Sequence, residues 1–220
     1  MRTLNSFAVL VVAITSLAAP AWAVDWRAPR VVSVSCAACH GIDGNSESPL
    51  MPRLAGQSLE YLQAQMSAYK LAGAPQVDWI PFLSTAEPSG ARTGPLARMN
   101  MIGPAHYISE ADTKAAAEWY AQQKPAPPAA ASSPDLVARG AKIYAEGVPD
   151  ENVAACVACH GPQAAGRGQY PRLAGQHAEY LTNQIELLSI GKHPSAVMGP
   201  TAHALSKAET EALVAYLGQL

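Results

Sequence analysis

Cys36-Ala37-Ala38-Cys39-His40-Gly41 and Cys156-Val157-Ala158-Cys159-His160-Gly161 are two copies of one pattern, set 120 residues apart. Cys-x-x-Cys-His is the attachment signature of a c-type haem. Its spacing serves a definite chemistry: two thiols add across the two haem vinyl groups, and the short turn delivers the next imidazole to iron. Cys36, Cys39, Cys156 and Cys159 are therefore expected to carry the thioether bonds, and His40 and His160 to be the proximal ligands. Other uses of paired cysteines fit less well. A redox disulfide does not call for a histidine directly after the second cysteine in both copies. A zinc site wants four ligands, and these two pairs sit in separate repeats. The chain has 4 cysteines and none is left over. The expectation is two covalently bound haem c groups.

The repetition extends outward from these turns. Pro52-Arg53-Leu54-Ala55-Gly56-Gln57 returns as Pro171-Arg172-Leu173-Ala174-Gly175-Gln176. A period near 120 residues in two copies is a duplicated domain, too short an array for a solenoid. Between the copies, residues 125–134 are rich in proline, alanine and serine and read as an extended linker. This divides the chain into a leader at 1–23, a first domain at 24–124 and a second at 135–220.

The periodicity is helical. Leu59, Leu62, Met66 and Tyr69 fall at i, i+3, i+7 and i+10, and Ala178, Leu181, Ile185 and Leu188 repeat those offsets. Ser109-Glu-Ala-Asp112 and Ser206-Lys-Ala-Glu209 have the form of capping boxes, each followed by an apolar stripe. Asp135 to Glu146 reads as a further helix. No sustained alternation of apolar and polar residues suggests a strand, so the expected class is all-α, with two tandem haem-binding helical domains. Aromatic residues make up only 6 % of the chain, which leaves both cores thin unless a large apolar group fills them.

Low-spin haems that transfer electrons often take methionine as sixth ligand. Met198 is the only methionine of the second half. It stands eight residues before the capping serine and five before an Ala-His pair, and in the first half Met101 occupies the same register. Met101 and Met198 are the expected sixth ligands. Met99, two residues from Met101, stays open on chain geometry alone if the segment is extended. His106 and His203 share a register, and are read as packing residues rather than ligands. His177 and His193 are read as surface groups. Arg53 and Arg172 are divided between steadying haem propionates and lying in solvent.

The amino terminus has the marks of export. Arg2 precedes an uncharged apolar run from Phe7 to Ala19, and Ala21-Trp22-Ala23 fits a small-x-small cleavage site. Loss of residues 1–23 removes Arg2 alone among the charges, leaving 14 basic and 17 acidic groups, net -3. No basic excess exists to bind nucleic acid. The compartment implied is the bacterial periplasm; whether the protein also associates with a membrane is left open.

Duplicated CxxCHG, duplicated PRLAGQ and a methionine ahead of an S-x-x-[DE] helix resemble the dihaem cytochromes c4, over essentially the whole mature chain. The resemblance implies a helical cytochrome c domain in each half and a role in shuttling electrons in the periplasm. Pro52 and Pro171, 12 and 11 residues after the haem histidine, match the proline whose carbonyl holds the histidine Nδ1 proton. Implied donors are a quinol-oxidising complex or a periplasmic dehydrogenase; implied acceptors are a terminal oxidase or reductase.

Two departures stand out. The first half has no counterpart of Gly140 and Tyr144, and Pro29 with Val31-Val32 predicts a short or distorted opening helix. Also, His40 to Met101 spans 61 residues against 38 from His160 to Met198, and the stretch Ala72 to Arg98 holds most of the excess. It reads as a lid over the first haem, with a docking surface as the alternative. Two other functions compete with a non-enzymatic carrier. One is a dihaem redox enzyme, a peroxidase or a thiosulfate-oxidising type. The latter would need a cysteine thiolate on iron, and no cysteine is spare. The other is an electron-transfer subunit of a larger dehydrogenase complex.

Overall fold

The computed structural model describes residues 25–72, 96–128, 133–193 and 195–220, with the side chains of 71–72 and 96–100 left aside. The leader and nearly all of the Ala72–Arg98 stretch lie outside the described residues. Within them the chain is helical, with two isolated β-bridges, Val148 to Val153 and Arg167 to Tyr170, and no strand. No described helix is long and apolar enough to cross a membrane.

The first half opens with a π-helical turn, Val32–Cys36, that runs into α1, Ala37–His40. Opening distortion follows from Pro29 and the β-branched pair Val31-Val32, which resist regular α-helical packing. Then come α2 (Leu59–Ala72), α3 (Leu96–Tyr107) and α4 (Glu110–Ala121). The second half runs α5 (Pro134–Glu146), α6 (Val157–His160), α7 (Ala178–Ser189), α8 (Met198–Ala204) and α9 (Lys207–Leu217). Helix α5 begins at Pro134, inside the expected linker, because proline at the first helical position loses no intrahelical bond. The start of the linker is tied down as well: Asn45 Nδ2 donates to the Lys124 carbonyl, and the Ala126 N–H donates to Asn45 Oδ1.

Helix entry shows how residue size decides a cap. Ser206 and Glu209 form the full reciprocal box at α9. At α4 the Asp112 N–H donates to Ser109 Oγ, but the Asp112 carboxylate meets the serine hydroxyl and not the serine backbone. Aspartate is one methylene shorter than the glutamate the box requires.

The second core gathers Ile143, Tyr144, Leu181, Leu213, Val214 and Leu217 where α5 crosses α9. The first core is smaller: Val31, Val32, Leu62, Ala117 and Tyr120. One register bond repeats across the duplication. The Gly56 N–H donates to the Tyr120 carbonyl and the Gly175 N–H to the Leu217 carbonyl, both at 3.0 Å. This ties each PRLAGQ turn to the last turn of its domain's closing helix.

The two halves meet through those same turns. Gln57 Nε2 donates to the Arg172 carbonyl at 3.1 Å, and the Arg172 N–H donates to Gln57 Oε1 at 2.7 Å. Reciprocally, Gln176 Nε2 donates to the Arg53 carbonyl at 3.0 Å, and the Arg53 N–H to Gln176 Oε1 at 2.9 Å. Arg53 Nη1 reaches the Gly175 carbonyl at 2.7 Å, and His177 Nε2 lies 2.9 Å from the Ser46 carbonyl. Ser58 Oγ donates to the Gly168 carbonyl.

Candidate haem sites

Each Cys-x-x-Cys-His segment is one helical turn, closed by a glycine that takes a positive φ: 78° at Gly41 and 76° at Gly161. Only glycine adopts that conformation without strain, and it releases the chain from the turn directly after the histidine. A tyrosine hydroxyl holds the same glycine carbonyl in both halves, but from different helices. Tyr144 of α5 donates to the Gly161 carbonyl at 2.6 Å; Tyr120 of α4 donates to the Gly41 carbonyl at 3.0 Å. Among the described residues the first half has no long opening helix to supply the hydroxyl, and its closing helix supplies it. Trp119 Nε1 adds a bond to the Ile42 carbonyl at 2.7 Å.

His40 and His160 are 4 % and 5 % exposed. His40 Nδ1–H donates to the Pro52 carbonyl and His160 Nδ1–H to the Pro171 carbonyl, both at 2.9 Å. A carbonyl can only accept, so the proton sits on Nδ1 and the Nε2 lone pair is left for a metal. Burial holds both imidazoles below the usual histidine pKa, partly offset by the proline carbonyl, so they stay neutral and able to ligate.

One thiol of each pair sits in a desolvating setting. Burial pushes Cys36 up to about 11 and also raises Cys156. Among the described residues no three His, Cys, Asp or Glu side chains converge into a metal site. An iron held by one imidazole at each turn needs the remaining donors of a porphyrin. The residues present fit haem: paired thiols one turn apart, an oriented imidazole, and a small apolar core beside them.

Met101 lies in α3 and Met198 opens α8, both half-buried, and the Met198 N–H donates to Ser195 Oγ at 3.0 Å. The helical backbone changes the reading of Met99. Two positions apart on an α-helix are about 200° apart around its axis, not on one side as in an extended chain. His106 and His203 are exposed near the ends of their helices, each following a buried alanine, Ala105 or Ala202. Their exposure departs from the packing role expected of them, and the His106 ring meets the Tyr107 ring edge-on, with centroids 5.3 Å apart. His193 Nδ1 pairs with Gln184 Oε1 at 2.9 Å, and His177 is part of the seam instead of the free surface.

Arg53 and Arg172 are not solvated surface charges. Both are half-buried at the seam, and the Nε–H of each is buried with no acceptor among the described residues. Burial lowers the Arg172 pKa, the mark of a cation short of partners. The sequence concealed the role of Gln57 and Gln176. The available signal was their repetition at the end of PRLAGQ, a position no haem function explains.

Comparison with known proteins agrees with this geometry. A cytochrome c family model matches residues 27–124 and again 137–220. Cytochrome c4 of Azotobacter vinelandii is 33 % identical over 95 % of this chain and 94 % of its own length. A protein of Thiomonas intermedia described as a thiosulfate dehydrogenase electron acceptor is 31 % identical over 94 % of this chain and 89 % of its own. The structure of Acidithiobacillus ferrooxidans cytochrome c4 superposes with a TM-score of 0.69 at 30 % identity, covering 84 % of this chain and 98 % of that one. Two haem-attachment turns on two tandem helical domains, with likeness along both, make this chain a member of the dihaem cytochrome c4 family, an electron-transfer protein with two covalently bound haem c groups and not an enzyme.

Proposed function

We propose that the protein is exported to the periplasm with loss of residues 1–23, and there carries electrons one at a time between larger redox partners. Domain 24–124 holds one haem through Cys36, Cys39, His40 and Met101, and domain 135–220 the other through Cys156, Cys159, His160 and Met198. When bound, the haem supplies a reversible one-electron change at iron. The polypeptide sets where that change lies, through the axial donors, burial and nearby charge. The observation that carries the reading is the matched pair of His–Pro bonds, which presents an unprotonated Nε2 in both halves. Arg53 and Arg172, each with a buried unsatisfied Nε–H, suit the propionate carboxylates.

Donors of the quinol-oxidising or dehydrogenase class and acceptors of the oxidase or reductase class fit such a carrier. The likeness to a thiosulfate dehydrogenase electron acceptor supports a dehydrogenase that oxidises sulfur compounds as one donor. The test is a spectrum of the oxidised protein with a redox titration. Met101→Ala and Met198→Ala should each abolish the methionine-to-iron charge-transfer band of one haem and lower its potential, because the soft thioether favours ferrous iron. Met99→Ala should leave both bands intact. A band lost in Met99→Ala and kept in Met101→Ala would shift the repeat alignment by two residues.

A further inference from the structure

The peptide unit joining Pro52 to Arg53 is hydrogen-bonded at both ends. Its carbonyl accepts from His40 Nδ1–H at 2.9 Å, and its N–H donates to Gln176 Oε1, in the other domain, at 2.9 Å. The unit joining Pro171 to Arg172 is bonded in the same way, to His160 Nδ1–H at 2.9 Å and to Gln57 Oε1 at 2.7 Å. Gln57 and Gln176 are 6 % and 8 % exposed, and the opposed Arg N–H and carbonyl fix which end of each amide points where.

We infer that each domain tunes the haem histidine of the other: Gln176 acts on His40 through the Pro52–Arg53 peptide, and Gln57 acts on His160 through the Pro171–Arg172 peptide. The inference rests on His40 and His160 being iron ligands. Its physics is the resonance of the amide. An N–H that donates to a good acceptor shifts electron density onto the carbonyl oxygen of the same unit, which then accepts more strongly. A stronger acceptor at Nδ1–H makes the imidazole a stronger donor to iron. That stabilises the ferric form and lowers the potential. Gln57 and Gln176 are thus positioning residues, acting through a peptide and a histidine. Side chains serving only to glue two domains together would have no reason to choose, in both directions, the one peptide that carries the histidine bond. By linkage, the effect is reciprocal: the oxidation state of one iron alters the grip of the other domain by the same free energy.

Gln57→Leu and Gln176→Leu in the full-length haem-loaded protein test this. A redox titration followed through the haem methyl resonances of the oxidised form reports each haem separately. Gln57→Leu should raise the potential of the second haem and leave the first unchanged, and Gln176→Leu should do the converse. The expected change in the reduction equilibrium constant is roughly threefold, about 28 mV at 59 mV per tenfold for one electron. Small-angle scattering shows whether the halves stay docked through the remaining clamp. A shift confined to the haem of the mutated domain, equal shifts in a docked protein, or no shift overturns the relay. If a leucine variant undocks, the near-isosteric Gln57→Met or Gln176→Met is titrated in its docked form, and an unchanged potential at the other domain's haem there overturns the relay too. Hyperfine-shifted ring protons of His40 and His160 in the wild type establish ligation separately. Their absence sinks the ligand assignment, whereas their presence without a cross-domain shift sinks the relay alone.

Discussion

Gly140→Ala is the most severe small change the structure offers. A Cβ at position 140 would lie 2.0 Å from the Ala212 carbonyl oxygen, 2.6 Å from its carbon and 2.7 Å from Tyr216 Cβ. Carbon and oxygen approach one another no closer than about 3.3 Å even in favourable C–H···O contacts, so α5 and α9 would have to part by about 1.3 Å. Overpacking costs about 1–3 kcal/mol, and the upper end applies where two backbones collide and neither has a rotamer to give. Alanine recovers about 1 kcal/mol of helix propensity over glycine. The net loss is about 2 kcal/mol. For a domain of this size that is a fall of about 8–16 °C in midpoint. The separation would also loosen Ile143, Tyr144, Leu213 and Leu217, which pack at this crossing. Thermal unfolding should be followed by the haem absorption of each domain. The second domain should melt earlier and the first at its usual temperature. A second domain that melts at or above the wild-type temperature would mean the crossing is looser than 2.0 Å implies, and the account of α5 against α9 would fail.

Two further changes probe the attachment turns and the seam. Tyr144→Phe removes the donor to the Gly161 carbonyl and should cost the second domain about 1 kcal/mol, while Tyr120→Phe should cost the first domain a similar amount; denaturant midpoints resolved by domain will show any crossover. His177 is held below the ordinary histidine pKa by burial, with the Ser46 carbonyl opposing and the Arg53 charge adding to the depression. The seated ring therefore resists a proton that the undocked ring accepts. Docking should be at full strength above about pH 6.5 and weaken as pH falls below it. His177→Gln, which keeps a donor for Ser46, should flatten that dependence in small-angle scattering between mildly alkaline and acidic buffer. An unchanged pH profile in the variant would remove His177 from the account.

Much of the architecture was legible because its signals are local. The apolar offsets from Leu59 and from Ala178 became α2 and α7, and the two S-x-x-[DE] patterns mark where α4 and α9 begin. The haem turns were legible because their signature is five contiguous residues. Pro52 and Pro171 rested on likeness to a family, and both carbonyls meet the histidines as that likeness implied. Contacts between domains were not legible. Gln57 and Gln176 repeat in register, but neither they nor His177 reveal what they bind, because their partners lie more than 100 residues away. Met99 was left open only on the condition of an extended segment, and its backbone lies in α3. Gly103 and Pro104 argue locally against a helix, yet α3 runs through both.

The two tyrosines that brace the attachment turns also close loops of very different length. Tyr144 precedes its glycine by 17 residues, so the second turn is braced by chain already synthesised when its cysteines appear. Tyr120 follows Gly41 by 79 residues, and the first turn stays without its brace until the closing helix of that domain has emerged. Closing the longer loop costs about 1.4 kcal/mol more in chain entropy. The earlier turn is therefore braced across a long loop and the later one across a short loop. Two turns with one attachment motif thus lean on opposite ends of their domains, the first on its closing helix and the second on its opening helix.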